Sequence, residues 1–200
     1  MRIFLAGVGC VGKTTTGARL AKLLGYRFFD LDAEIERFSG TSVERLRNRH
    51  LTLHDFRIEA SQALNHILAQ DDSRDCVIAF SPSGLLGGYW KVVNAARDAR
   101  IVVLRDRPEN ILQRATFYDI DSRPLPKKQL TEDENKYYLR EIKGDIAYFK
   151  PSYRRAHLDV DIAGCDADAA ARKVREALAS EPVATKPSSL VCGAEAAWLR

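Results

Sequence analysis

The sequence predicts a three-layer α/β/α fold around a five-stranded parallel sheet, and three features carry that expectation. Short apolar runs suited to buried strands recur at "RIFLAG", "YRFFD", "CVIAF", "RIVVL" and "HLDVDI". Helical stretches separate them, and this alternation places helices on both faces of a parallel sheet. A glycine-rich loop stands directly between the first run and the first helical stretch.

Taken in order, "RIFLAG" is continuously apolar, as a strand buried on both faces must be. "TTTGARLAKLLG" has helical spacing through Leu20, Leu23 and Leu24. "LTLHDFRIEASQALNHILAQ" reads as a long helix with Phe56, Leu64 and Leu68 among its apolar positions. "RPENILQRA" has Pro108 where a helix can begin. From Thr116 to about Lys136 the chain is polar, carries Pro124 and Pro126, and gives no strand signal. A loop of that length in a compact domain is typically a lid or disordered. "DADAAARKVREALASE" closes the domain as an amphipathic helix, so residues 1–180 form one domain and 181–200 a loosely held tail, with Trp198 its candidate anchor.

Composition narrows the function classes. Two hundred residues can bury a core unaided, and 31 basic against 27 acidic side chains form no block of like charge. Nucleic acid is therefore not an expected partner, and the slight basic excess reads as local phosphate-binding groups. Cys10, Cys76, Cys165 and Cys192 lack metal or disulfide spacing, which suggests reduced thiols in a cytoplasmic protein. The chain enters its first strand at once, so no signal peptide is expected, and no apolar run approaches membrane-spanning length. His50, His54, His66 and His157 have no metal spacing, Lys127 and Lys128 read as solvated, and Tyr137, Tyr138, Tyr148 and Tyr153 as packing residues.

The loop "GVGCVGKTTTG" fits two motifs. Gly7, Gly9 and Gly12 match G-x-G-x-x-G, a dinucleotide fingerprint, and Asp30 or Asp32 would supply its downstream acid. Gly7, Gly12, Lys13 and Thr14 match G-x-x-x-x-G-K-[ST], a phosphate-gripping P-loop. The residues after the third glycine decide between them. A dinucleotide loop has no role for a cation there, whereas Lys13 can reach terminal phosphates and the Thr14 hydroxyl can bind magnesium. Gly7, Gly9, Cys10, Val11, Gly12, Lys13, Thr14 and Thr15 are thus the expected nucleotide-binding set, with ATP and Mg2+ as cofactors. Thr14 and Asp30 are placed to hold the metal. Asp32, two residues on and sharing Asp30's face if the strand continues, could orient an acceptor hydroxyl and take its proton.

The stretch "GKTTTGARLAKLLGYRFFDLDAEIERFSG" resembles the amino-terminal third of shikimate kinases, in which a P-loop is coupled to a D-x-D pair, an acidic-apolar helix and a glycine. Asp30, Asp32, Glu34, Ile35 and Gly40 fall on that pattern. "SRPL" at 122–125 resembles the family's lid motif, Arg114 the arginine upstream of it, and "PSYRRA" at 151–156 its late P-x-Y element. The resemblance spans most of residues 1–180. It implies a P-loop kinase fold that moves the γ-phosphoryl group of ATP to a shikimate hydroxyl; a monomer is expected, although no residue pattern fixes the oligomeric state. The resemblance also implies a lid arginine at Arg123, a nucleotide contact at Arg114 and an acceptor carboxylate contact at Arg57.

Departures from the pattern are as informative. Counting without gaps from Asp32 would put Phe56 in the arginine's place, so Arg57 can also be read as an exposed helix residue. Ser81, Pro82 and Ser83 stand where the family has three glycines, with Ser83 and Gly84 the expected replacement contacts. The family's second acceptor arginine falls on Phe149, and Lys150 is its nearest cationic substitute. These changes leave open a kinase for another small polyol, acid or nucleoside, or a catalytically reduced nucleotide-binding regulatory paralogue.

Overall fold

The five strands of this computed structural model, which describes residues 1–126 and 129–180, pair in the order β2-β3-β1-β4-β5, all parallel. They are β1 (Arg2–Ala6), β2 (Arg27–Asp30), β3 (Cys76–Ala79), β4 (Ala99–Arg105) and β5 (Leu158–Asp161). The three central strands are almost wholly buried, which explains their unbroken apolar runs. The expected tail, with Cys192 and Trp198, and the lid residues Lys127 and Lys128 lie outside the described residues.

Two apolar layers sandwich the sheet. One face packs α1 (Lys13–Leu24) and α8 (Ala167–Ser180) through Leu20, Ala21, Ala171 and Val174. The other packs α2 (Leu31–Ser39), α3 (Val43–Asn48), α4 (Leu53–Ala69) and α5 (Gly87–Ala95) around Phe4, Phe29, Leu64 and Tyr89. Two further helices, α6 (Pro108–Arg114) and α7 (Glu132–Tyr153), carry the chain from β4 to β5. Pro108 begins α6, as a residue with no amide hydrogen can at a helix start.

The lid is shorter than its prolines suggest. A reciprocal capping box between Thr131 and Glu134 starts α7 at Glu132, so the span expected to be irregular up to about Lys136 ends as helix. What remains folds back on itself, with Leu125 N–H donating to Phe117 O at 2.8 Å and Tyr118 bridging Pro124. Helix α7 also runs through Pro151 to Tyr153.

Sheet order 2-3-1-4-5 reverses direction at β1, and in parallel sheets ligands gather at the carboxyl ends of the strands beside such a reversal. The glycine loop leaves β1 at that point.

Candidate active site

The loop 7–12 is built by two left-handed glycines, Gly7 (φ 143°) and Gly12 (φ 108°). A Cβ on Gly7 would lie 2.8 Å from Leu104 O, so that glycine is required by the neighbouring strand. A Cβ on Gly9 would meet no protein atom within 4 Å, so Gly9 leaves room on the open side of the loop. Cys10 (φ 57°) holds a left-handed conformation that costs a non-glycine residue energy. No side chain caps α1, whose first turn therefore presents amides to an anion.

Lys13 folds back over this loop. Its Nζ donates to Gly7 O at 2.9 Å and Val8 O at 2.8 Å, and the residue is only 8% exposed. Burial lowers its ammonium to a pKa of about 8, against the opposing pull of Asp32, Cys10 and Asp30. Thr15 Oγ1 donates to Gly12 O at 3.1 Å and so braces the turn.

Asp30 sits at the corner between β2 and α2. Its Oδ2 accepts from Thr14 Oγ1 at 2.6 Å, and its Oδ1 accepts from the amides of Asp32 and Ala33 at 3.1 and 3.4 Å. It therefore caps α2, which begins at once. Asp32 does not share Asp30's strand face: it lies in the first turn of α2, because the cap ends the strand at Asp30. From there it faces the serine loop, where Ser81 Oγ donates to Asp32 Oδ1. Burial pushes the Asp32 carboxyl above the usual range, with the Ser81 bond opposing, Asp30 reinforcing and Lys13 opposing.

The structure separates the acceptor candidates. Phe56 is 7% exposed and belongs to the core, whereas Arg57 reaches toward Tyr89 and has a buried Nε without a partner among the described residues. Gly84 lies close against Phe80: a Cβ there would lie 2.6 Å from the Phe80 ring. Ser83 turns the chain by accepting from Leu86 N–H at 2.9 Å. Phe149, where the second arginine was expected, is 8% exposed and stacks on Tyr153. Lys150 turns away from it and lines a cavity of about 550 Å³ between α7, α6 and the ends of β4 and β5, together with Arg107, Lys143 and Arg154.

The late P-x-Y element and the paired glycines of α5 shape the cleft from behind. Tyr153 donates to Pro82 O at 3.1 Å and Arg155 to Leu85 O at 2.7 Å, so the end of α7 pins the serine loop. Gly87 and Gly88 let α5 approach α4: a Cβ on Gly88 would lie 2.7 Å from Arg57 O. That approach brings the Tyr89 hydroxyl in beside Arg57, Asp32 and Ser81. The doubled glycine was the only signal available in the sequence.

The remaining arginines frame the mouth. Arg114 pairs with Asp106 and reaches Cys10 O and Val11 O at 3.5 Å, so it leans on the phosphate loop. The lid is tied to α2 and α3 by Ser122 to Glu36, Arg45 to Asp121 at 2.5 Å, and Ser42 to Ile120 O at 2.5 Å. Arg123 follows directly, with an exposed side chain.

A glycine loop feeding an uncapped helix, a buried lysine over it and a hydroxyl–carboxylate pair beside it define a P-loop nucleotide-binding protein. Comparison with known proteins narrows the class. The profile of the shikimate kinase family matches residues 9–178. Shikimate kinases from Moorella thermoacetica and Halorhodospira halophila are each 32% identical to the chain. The alignments cover 88% of this chain and 93% of the first relative, and 90% and 95% for the second. A solved shikimate kinase from Acinetobacter baumannii, in complex with shikimate, superposes with a TM-score of 0.68 at 28% identity, over 90% of this chain and 93% of that one. One from Bacteroides thetaiotaomicron, at 21% identity, shares the fold with a TM-score of 0.70, over 90% and 98%. The chain belongs to the shikimate kinase family, and so to the phosphotransferases that act on a hydroxyl group.

Proposed function

We propose that this chain transfers the γ-phosphoryl group of ATP to a hydroxyl of shikimate. One observation carries the reading: the half-buried carboxylate of Asp32, near Lys13 of the phosphate loop, and the buried, unpartnered guanidinium Nε of Arg57 both act on the Tyr89 hydroxyl. A base and a carboxylate-binding fork within one cleft suit a hydroxy acid.

The α1 amides and Lys13 bind the β- and γ-phosphates, Lys13 exchanging its two carbonyl partners for phosphate oxygens. Thr14 and Asp30 suit a magnesium ion, since a hydroxyl and a carboxylate already 2.6 Å apart are the hard oxygen ligands it takes. Bound there, magnesium would neutralise charge on the transferring phosphoryl group. Asp32 orients the acceptor hydroxyl and takes its proton as the oxygen attacks phosphorus. Arg123 comes over the phosphates as the lid closes and excludes water. Arg114, already against the loop, contacts the nucleotide.

Retention of Lys13, Thr14, Asp30 and Asp32 in working geometry argues against a regulatory paralogue without activity. A second reading, a less charged polyol as acceptor, draws on Phe149 in the arginine's place and on the hydroxyls of Ser81 and Ser83. ADP production from ATP and magnesium, with shikimate and across a panel of neutral acceptors, separates the two. Shikimate-dependent turnover supports the first, and turnover only with a neutral acceptor replaces it.

A further inference from the structure

The Ser81 hydroxyl stands where the family pattern has glycine, and it is not idle: it donates to Asp32 Oδ1. Asp32 Oδ2 has no protein donor among the described residues. Behind the pair lies Tyr89, fully buried, its hydroxyl within interacting range of Ser81, Asp32 and Arg57 yet without a well-formed hydrogen bond among the described residues. A buried hydroxyl left in that condition is costly to the fold.

The surroundings hold both hydroxyls in place. Ser81 O accepts from Gly84 N–H at 2.9 Å, closing the turn that presents its side chain. Tyr153 and Arg155 grip Pro82 and Leu85 in the same loop. Tyr89 is fixed by the close approach of α5 to α4 at Gly88, where a Cβ would also lie 2.7 Å from Ser61 Oγ. A glycine run would offer backbone alone at this place. Here a rigid loop offers a hydroxyl aimed at the base.

We infer that Ser81, backed by Tyr89, is a positioning residue for Asp32, holding one carboxylate oxygen so that the other faces the acceptor hydroxyl. It acts through Asp32 and touches neither nucleotide nor metal. The inference rests on Asp32 being the acceptor base. Ser81 thus replaces, with a side chain, the control that a backbone loop would otherwise exert on this part of the cleft.

The test is a double-mutant cycle on shikimate-dependent turnover, with Ser81→Ala, Asp32→Asn and the pair, alongside Ser81→Thr and Tyr89→Phe. A hydrogen bond to a charged group is worth about ten-fold or more, so Ser81→Ala should lower kcat by about that factor and leave the KM for ATP unchanged. Ser81→Thr, which keeps the hydroxyl, should restore most of the rate. Tyr89→Phe should lower kcat by a smaller factor while leaving thermal stability equal or higher, an outcome that a packing role alone would not produce. In the Asp32→Asn background, Ser81→Ala should add no further loss, because its effect passes through the missing carboxylate. Wild-type kcat in Ser81→Ala, or losses that multiply in the pair, would overturn the inference while leaving Asp32 as base. Wild-type turnover in Asp32→Asn would instead remove the base itself, and the positioning role with it.

Discussion

Thr14 and Asp30 meet across the gap between α1 and β2, hydroxyl to carboxylate, at 2.6 Å. The same aspartate caps α2 with its other oxygen. Asp30 thus joins the phosphate loop to the helix that carries Asp32, and its loss should be felt in two ways. Asp30→Ala should remove a cap, costing about 1 kcal/mol of stability, and raise the magnesium concentration needed for half-maximal turnover. Asp32→Asn should instead cut kcat with little change in magnesium demand or ATP affinity. Denaturant titration and a magnesium series on both variants check this. A swap of the two phenotypes would mean that the roles are reversed.

Lys13→Ala should abolish measurable turnover, since loss of one preorganised charge-stabilising group costs about 2.7–4 kcal/mol in the transition state. The wild-type lysine also makes a prediction for pH. Its ammonium, lowered to about 8 by burial, releases its proton earlier in the folded chain than in the unfolded one, where lysine titrates near 10.4. The cost of burying the charge is therefore present in full below about pH 8 and is relieved as pH rises toward the unfolded value. Nucleotide phosphates favour the charged form, so ATP binding at pH 9 should draw a proton from solution, and at pH 7 should not. Calorimetry in buffers of different ionisation heat measures the uptake directly; equal uptake at both values would contradict this placement of the charge.

Legibility in the sequence followed how local each signal was. The five strands, the phosphate loop and Pro108 at the start of α6 depend on residues next to one another, and all stand where they were expected. Alternation puts Asp32 on Asp30's face only if the strand continues, and it says nothing about Asp30 ending that strand by capping two amides. Lys150 looked like a stand-in for an arginine at 149. One residue along a helix is about 100° around it, so the lysine faces the α7 cavity while Phe149 faces the core. The need for glycine at Gly84 comes from the Phe80 ring, a neighbour that spacing along the chain does not show. Tyr89 was invisible: a tyrosine in an apolar helix reads as core, and its hydroxyl acquires a destination only when Gly87 and Gly88 bring α5 onto α4.

Lid closure should be visible in hydrogen exchange. The segment from Phe117 to Leu125 is held by its own backbone bonds and by side chains of Glu36, Ser42 and Arg45. ATP and shikimate together should slow exchange there more than either does alone, because closure over both excludes water. Glu36 also accepts from Val43 N–H at 3.0 Å, so Glu36→Ala should speed exchange in both the lid and the start of α3. Exchange that is indifferent to both ligands together would remove the lid role from Arg123.

The thiols should divide by environment. Cys10 is exposed at the rim of the phosphate loop, while Cys76 is buried on β3, where burial pushes its thiol up to about 11. Since the thiolate is the reactive form, Cys76 in the native protein should resist iodoacetamide at pH 8 and Cys10 should be modified. Magnesium and ATP should protect Cys10 by covering the loop. Peptide mapping after a timed reaction distinguishes the two; rapid labelling of Cys76 without unfolding would contradict its placement.

On the proposed reading, Arg57 reads the acceptor carboxylate. Its Nε is buried without a partner among the described residues, and Gly87 lies close enough that a Cβ there would sit 3.4 Å from Arg57 Cδ. The guanidinium is thus held by packing, with donor capacity to spare for an incoming carboxylate. A charge-assisted hydrogen bond to a carboxylate is worth about 1.5–3 kcal/mol, so Arg57→Ala should weaken shikimate binding roughly ten- to a hundred-fold. Affinity for ATP should barely move, because the proposed phosphate contacts come from α1 and Lys13. A neutral polyol should be nearly indifferent to the same substitution, its hydroxyls relying on Asp32 and the serine loop. With Phe149 in place of a second arginine, Arg57 has less help than a two-arginine site would give, and its removal should be correspondingly severe. Paired titrations of shikimate and a neutral polyol against the wild type and Arg57→Ala settle the matter: equal losses for both would show that Arg57 supports the fold of the cleft and does not read the carboxylate.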